Sequence, residues 1–149
     1  MKFLPQRSSL AVLILLGFLT LGACTTPRQG TTLYQRLGSQ EGITAIVDNL
    51  LFEISEDEDV VPLFAKTDID RFRQKLIEQL CDLSEGPCTY DGDTMAETHK
   101  DLAIRRSQFN SLVENLIRAM EEAGVATADQ NALLSRLVPL YPDIVTSPR

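Results

Sequence analysis

The chain has 149 residues and sets 14 Lys and Arg against 21 Asp and Glu, a net charge of −7 with its single histidine neutral. An acidic chain of this kind lacks the basic patches that nucleic acid demands, which excludes nucleic acid as a partner. The length suits one small domain and does not suggest two.

Lys2 and Arg7 precede an apolar run from Ser8 to Thr20, and Leu21, Gly22, Ala23 and Cys24 follow. A basic start, an apolar core and small residues before a break mark a secretory signal, and the core is short for a transmembrane helix. Leu21 to Cys24 resembles the lipobox of bacterial lipoproteins. The resemblance implies a signal peptide over residues 1–23, cleavage before Cys24 and acylation of the Cys24 thiol. Two or three acyl chains anchor firmly where one is marginal. An ordinary cleaved signal with an incidental cysteine is the alternative. Removing residues 1–23 takes Lys2 and Arg7 and no acidic side chain, so the net charge falls from −7 to −9. Such a charge opposes docking to anionic lipid, so membrane attachment has to rest on the acyl chains. Thr25 in place of Asp after Cys24 favours, by resemblance to the Gram-negative sorting rule, an exported lipoprotein on the periplasmic side of the outer membrane.

Residues 24–32 read as a polar tether, and from there the chain reads as helix after helix. Leu33, Tyr34 and Leu37 predict a short first turn closed by Gly38. Ser39 then caps a helix carrying Ile43, Ile46, Val47, Leu50, Leu51 and Ile54 at helical spacing. Five acidic residues between Glu53 and Asp59 form a solvated helix end; the Gly-bearing twelve-residue arrangement of a Ca²⁺ loop is absent. A short apolar segment begins around Pro62. Thr67 or Asp68 caps a long helix toward Leu83, with Ile69, Phe72, Leu76, Ile77, Leu80 and Leu83 on one face. The stretch Ser84 to Pro87 stops it. Asp93 or Thr94 caps a brief helix containing Met95 and His99. Two long helices follow: one from about Ser107 to Gly124, the other from Thr127 to about Tyr141 with Leu133, Leu134, Leu137, Val138 and Leu140 inward. Pro142 ends or kinks the last. The expected architecture is all-α, with long helices around one core.

Cys81 and Cys88 are the remaining thiols. In an exported protein such a pair can form a disulfide, and their spacing across Gly86-Pro87 permits one without requiring it. A bridge and two free, partly buried thiols both stay open. The sole histidine and the spacing argue against zinc.

His99 taken alone is a weak signal, because a lone histidine among apolar residues is more often packed than ligating. A neutral imidazole can give one nitrogen to iron while an acceptor on the other fixes its tautomer. A Ser-His-Asp hydrolase finds no nucleophile elbow here.

The strings LYQRLG at 33–38, VPLFA at 61–65, the segment from Gly86 through YDGDTMAETHKDLAI to Ile104, QFNSLVENLIRAMEEAGV at 108–125 and VPLYPDIV at 138–145 change that reading. Together they resemble group 1 truncated haemoglobins, the two-on-two helical sandwich variant of the globin fold, over a domain of residues 33–146. The resemblance implies haem b as cofactor, with His99 as the proximal iron ligand and Phe64, in ungapped register with it, as the stacking phenylalanine. It implies a haem cavity lined by residues such as Leu50, Phe64, Leu76, Leu80, Met95, Leu116 and Leu137, each of which core packing would also explain. Lys75 is the expected partner of a propionate, with Arg71 and Arg73 as alternatives.

Departures from the family pattern bear on the ligand. Leu51 stands where the family has a distal tyrosine, and Phe72 and Leu76 stand where it often has Gln or Thr. Gln79, one turn beyond Leu76, is the remaining candidate donor. O₂ gains from a donor far more than CO or NO, so O₂ is expected to be held less tenaciously than in a tyrosine pocket. Ser39 and Glu85 each replace one glycine of a pair. With one histidine, a bis-histidine iron within one chain is excluded. The implied function is reversible binding of O₂, NO or CO, serving oxygen handling, NO detoxification or sensing; an NO dioxygenase activity would need a separate reductase. The alternatives are a haem-free helical lipoprotein acting as an envelope scaffold, and haem trafficking at the envelope.

Overall fold

The computed structural model describes residues 31–145. The expected signal peptide, Cys24 and most of the tether therefore lie outside the described residues.

The helices begin where the side chains can satisfy open backbone donors. Thr32 caps α1 (Leu33–Arg36) in a reciprocal box, taking the Gln35 N–H at 3.3 Å while the Gln35 side chain takes the Thr32 N–H at 3.2 Å. α2 (Ser39–Glu56) starts differently from the sequence expectation: Gly38, not Ser39, is the residue before its first turn, with φ +90°. Ser39 is the first helical residue and is itself left-handed, at φ +58°. The turn is that sharp because α2 starts against the end of α1. A Cβ on Gly42 would lie 1.9 Å from the Leu37 carbonyl oxygen.

Asp57 ends α2, and its Oδ1 accepts the Asp59 and Val60 N–H groups at 3.0 and 3.2 Å. A 3-10 turn over Val61–Phe64, with Pro62 near its start, leads to α3 (Ile69–Leu83), capped by Asp68 on the Arg71 N–H at 3.1 Å. Ile69 does not join the apolar face: it is 43% exposed, because the first turn of α3 overhangs the core. The next helix, α4 (Met95–Thr98), has only four residues and is capped by Thr94 and Glu97 in a second box. α5 (Arg106–Glu122) and α6 (Thr127–Leu137) follow.

The expected continuation of α6 to Tyr141 is corrected. Pro139 has no N–H to donate, so the chain tightens into a 3-10 turn at Val138–Leu140 before α7 (Tyr141–Ile144). The change of pitch swings Val138 off the apolar face, and it is 67% exposed.

α2 is the central element. It packs on α3 within its own layer and on α5 of the other layer, where α5 meets α6, while α1 bridges α2 and α6. Ile43, Ile46, Val47, Leu50 and Ile54 of α2 meet Ile77 and Leu80 of α3, Leu116 and Met120 of α5 and Leu133 of α6 in one core. Each such side chain stabilises the fold by about 1.5–3 kcal/mol on burial. Polar ties fix the crossings: Asn49 Nδ2 donates to the Ala119 carbonyl at 3.2 Å, Arg73 grips Asp48 with two hydrogen bonds, and Arg36 Nε meets Asp129 at 2.7 Å. The acidic run is held by Arg118, which pairs with Glu53, and by Asn115, which donates to Asp57 at 2.8 Å.

Two substitutions around the α1–α2 corner are expected to act in opposite directions. Ser39→Gly relieves a left-handed backbone and should raise unfolding stability by about 1 kcal/mol. Gly42→Ala forces a methyl into the Leu37 carbonyl and should lower it by about 1–3 kcal/mol. Urea unfolding followed by circular dichroism measures both, and equal midpoints for the two variants would contradict this account of the corner.

Candidate haem site

His99 lies at the C-terminal cap of α4, with φ −99° and its N–H on the Met95 carbonyl at 3.0 Å. The same carbonyl oxygen sits 2.8 Å from Nδ1. A carbonyl only accepts, so Nδ1 carries a proton, and in the neutral form of the ring the unprotonated nitrogen is Nε2. The ring is half-buried, and Nε2 has no hydrogen-bond partner among the described residues. A one-turn helix thus delivers one nitrogen lone pair with its tautomer set by its own backbone. The segment beyond is constrained too: Asp101 and Ala103 are left-handed at φ +65° and +48°, and buried Ile104 ties it to the fold.

The apolar residues expected around this histidine separate into two sets. Leu50, Leu80 and Leu116 are buried in the core, at 4, 1 and 8% exposure. Leu51, Phe64, Phe72, Leu76, Met95 and Leu137 are only half-buried. Phe64 and Phe72 meet edge to face, their ring centroids 5.1 Å apart, which ties the 3-10 turn after α2 to the first half of α3. α4 packs on α7. Phe109 and Tyr141 join α5 to α7 by a second edge-to-face pair at 4.9 Å.

Two polar residues of α3 make contacts toward α4 and the loop before it. Gln79, expected toward the gas ligand, donates from Nε2 to the Met95 thioether at 3.5 Å and so reaches across to α4. Lys75, expected to meet a propionate, holds Glu78 and Asp91, each at 2.6 Å. Its hydrogen bond to Asp91 raises the Lys75 pKa, and the same contact lowers that of Asp91. Arg73 is taken by Asp48, whereas Arg71 has no ion pair among the described residues. Tyr90 was not anticipated as part of the frame. Its N–H meets Asp82 at 3.3 Å, its hydroxyl donates to the Asp93 carbonyl at 2.9 Å, and burial pushes its pKa up. No motif announces it; only an Asp eight residues before Tyr90, at the end of the preceding helix, hinted at that tie.

Cys81 and Cys88 are disulfide-bonded, with Cα atoms 5.8 Å apart. Cys81 is fully buried in the last turns of α3, and Cys88 is half-buried in the loop that leads to α4.

The donor set fits a haem: one imidazole nitrogen without a partner, half-buried aromatic and aliphatic side chains, and no cluster of three or more His, Cys, Asp or Glu among the described residues that could hold a metal ion instead. Two helix pairs crossed face to face, with such an imidazole on a short helix beside them, define the two-on-two sandwich of the globin class. A family described as "Bacterial-like globin" matches residues 32–145, and the chain belongs to that family. It is 36% identical over 107 residues to a group 1 truncated hemoglobin of Nostoc sp. (strain MUN 8820), covering 72% of this chain and 91% of the relative. The crystal structure of truncated hemoglobin from Tetrahymena pyriformis in its Fe(III) form superposes with a TM-score of 0.74 at 29% identity, covering 77% of this chain and 98% of that one. The 2/2 hemoglobin from Synechococcus sp. PCC 7002, solved in the cyanomet state with covalently attached heme, shares the fold at 21% identity and a TM-score of 0.72, covering 77% of this chain and 98% of that one. These matches leave the haem-free scaffold reading without support.

Proposed function

We propose that the chain binds haem b through His99 Nε2 and takes up a diatomic gas on the opposite face. The observation that carries this reading is the His99 Nδ1 contact to the Met95 carbonyl at 2.8 Å, which leaves Nε2 free to ligate. Bound haem supplies an iron that takes O₂, NO or CO reversibly. The chain's own residues do the rest: His99 holds the metal from one side, Phe64 stacks on the macrocycle, and Leu76, Met95 and Leu80 exclude water from it. Lys75, whose pair with the 78% exposed Asp91 is easily exchanged, would partner a propionate, with Arg71, free of ion pairs among the described residues, as the alternative.

The gas is chosen by what the other face lacks. Leu51, Phe72 and Leu76 offer no hydrogen-bond donor, and the Gln79 amide turns one N–H toward the Met95 thioether at 3.5 Å. O₂ depends on a donor more than NO or CO does, so this site favours NO and CO and releases O₂ readily. That balance fits sensing or scavenging of NO better than oxygen transport, with any reductase a separate protein.

Export and a lipid anchor at Cys24 are part of the same proposal. The Cys81–Cys88 bridge supports it, because disulfides persist in oxidising compartments.

Haem reconstitution of the wild type should give a Soret band with a five-coordinate ferrous histidine spectrum, and His99→Ala should lose that signature. An unchanged spectrum in His99→Ala rules out the assigned ligand. Leu51→Tyr should slow O₂ release by about tenfold; stopped-flow measurement showing equal or faster release would refute the donor-poor pocket. In a Gram-negative host, labelled palmitate should enter the full chain and not Cys24→Ala, and a wild-type chain that stays unlabelled and soluble removes the anchor.

A further inference from the structure

We infer that the Cys81–Cys88 disulfide is a positioning element for His99, fastening the loop that carries α4 to the end of α3. The inference rests on the reading of His99 as the iron ligand. α4 has four residues, too few to persist as a helix by itself, and of these Ala96, Glu97 and Thr98 are exposed. Its orientation therefore comes from outside, from α7, on which it packs, and from the loop that leads into it. Residues 84–94 lead into it, and their ties to α3 are of unequal strength. The Lys75–Asp91 pair ends on a carboxylate that is 78% exposed, where ion pairs contribute little. The Gln79 amide ends on a thioether, a weak acceptor. The Tyr90 N–H reaches Asp82 at 3.3 Å at an exposed site.

Against these stands one covalent tie, rooted in a fully buried residue of α3. The turn it closes is packed to the limit. Gly86 donates to the Cys81 carbonyl at 2.8 Å, and a Cβ on Gly86 would lie 2.6 Å from Cys81 Sγ and 2.7 Å from the Tyr34 ring. α1 backs the turn from the other side, the Tyr34 N–H meeting the Ser84 carbonyl at 2.7 Å. The bridge thus joins α1, the end of α3 and the approach to α4 into one unit. The free span before His99 begins after Cys88 instead of after Leu83. Fewer loose residues give the imidazole a narrower range of positions, and a metal ligand so held releases its metal more slowly.

The test compares the haem-loaded wild type, Cys81→Ala/Cys88→Ala, and wild type reduced by a water-soluble phosphine. In that reduction the disulfide gains two electrons and two protons, and the phosphine leaves as its oxide with oxygen from water. Two readouts are taken at a temperature where all forms stay folded by circular dichroism: the iron–histidine stretching band of the deoxygenated ferrous protein, and haem transfer to an apoglobin acceptor. The bridge-free forms should show a shifted or broadened band and haem loss faster by about tenfold. A lower melting temperature with an unchanged band and unchanged haem loss makes the bridge a general staple and overturns the inference. If the double variant fails to fold, the reduced wild type decides alone. Absence of the band in the wild type would instead strike the His99 assignment, so the two failures are told apart.

Discussion

A single hydrogen bond organises the chemistry of this chain. Met95 offers its carbonyl to both the backbone and the ring of His99, one helical turn later. The backbone contact closes α4, and the ring contact decides which nitrogen carries the proton. Without the second, the imidazole has two tautomers and a free torsion; with it, one nitrogen is exposed in one direction. Everything else acts on where that pair sits: the capping box at Thr94, the packing of α4 on α7, and the turn at the end of α3.

The core was readable from residue order because its period is simple. Ile43, Ile46, Val47, Leu50 and Ile54 repeat at helical spacing, and all five are buried. The caps were readable to within one residue for the same local reason: Thr67 or Asp68 and Asp93 or Thr94 were the candidates, and the second of each pair holds the position. Reading failed where a tertiary neighbour overrode the local rule. Ser39 has the right chemistry for a cap, but α2 begins so close to Leu37 that the turn falls one residue earlier, on Gly38. Pro139 breaks the last long helix three residues before Pro142, where the apolar pattern runs on and hides the change of pitch. The imidazole itself was legible only through its setting, since no rule of spacing makes one histidine a ligand.

The polar residues around the site show the same limit more sharply. The resemblance assigns Gln79 and Lys75 to ligand and propionate, and in this structure Gln79 reaches Met95 at the start of α4 while Lys75 reaches Asp91 in the loop before it. Side chains this long choose partners by reach, and reach is not visible along one helix. On the proposed reading, Leu51, Phe72 and Leu76 would face the gas, while Lys75 and Gln79 of α3 make their contacts with Asp91 and Met95. The two departures from the family's paired glycines fall in this frame as well. Ser39 and Glu85 both hold left-handed backbones, at φ +58° and +65°, that a glycine would adopt without cost.

The crowding around Gly86 has a bearing on how this region tolerates change. Its Cα, the Cys81 sulfur and the Tyr34 ring share one small volume, so their side chains are not independent variables. A methyl at position 86 would meet the sulfur, the Tyr34 ring and the Cys81 carbonyl oxygen at 2.6, 2.7 and 2.8 Å, so loss of the sulfur relieves one of three contacts and leaves the backbone one. Replacements at these positions will therefore show energies that do not add, each setting the consequence of the next. The glycine is therefore held in place by backbone and ring as well as by the bridge, and it outlasts the bridge as a constraint on this corner.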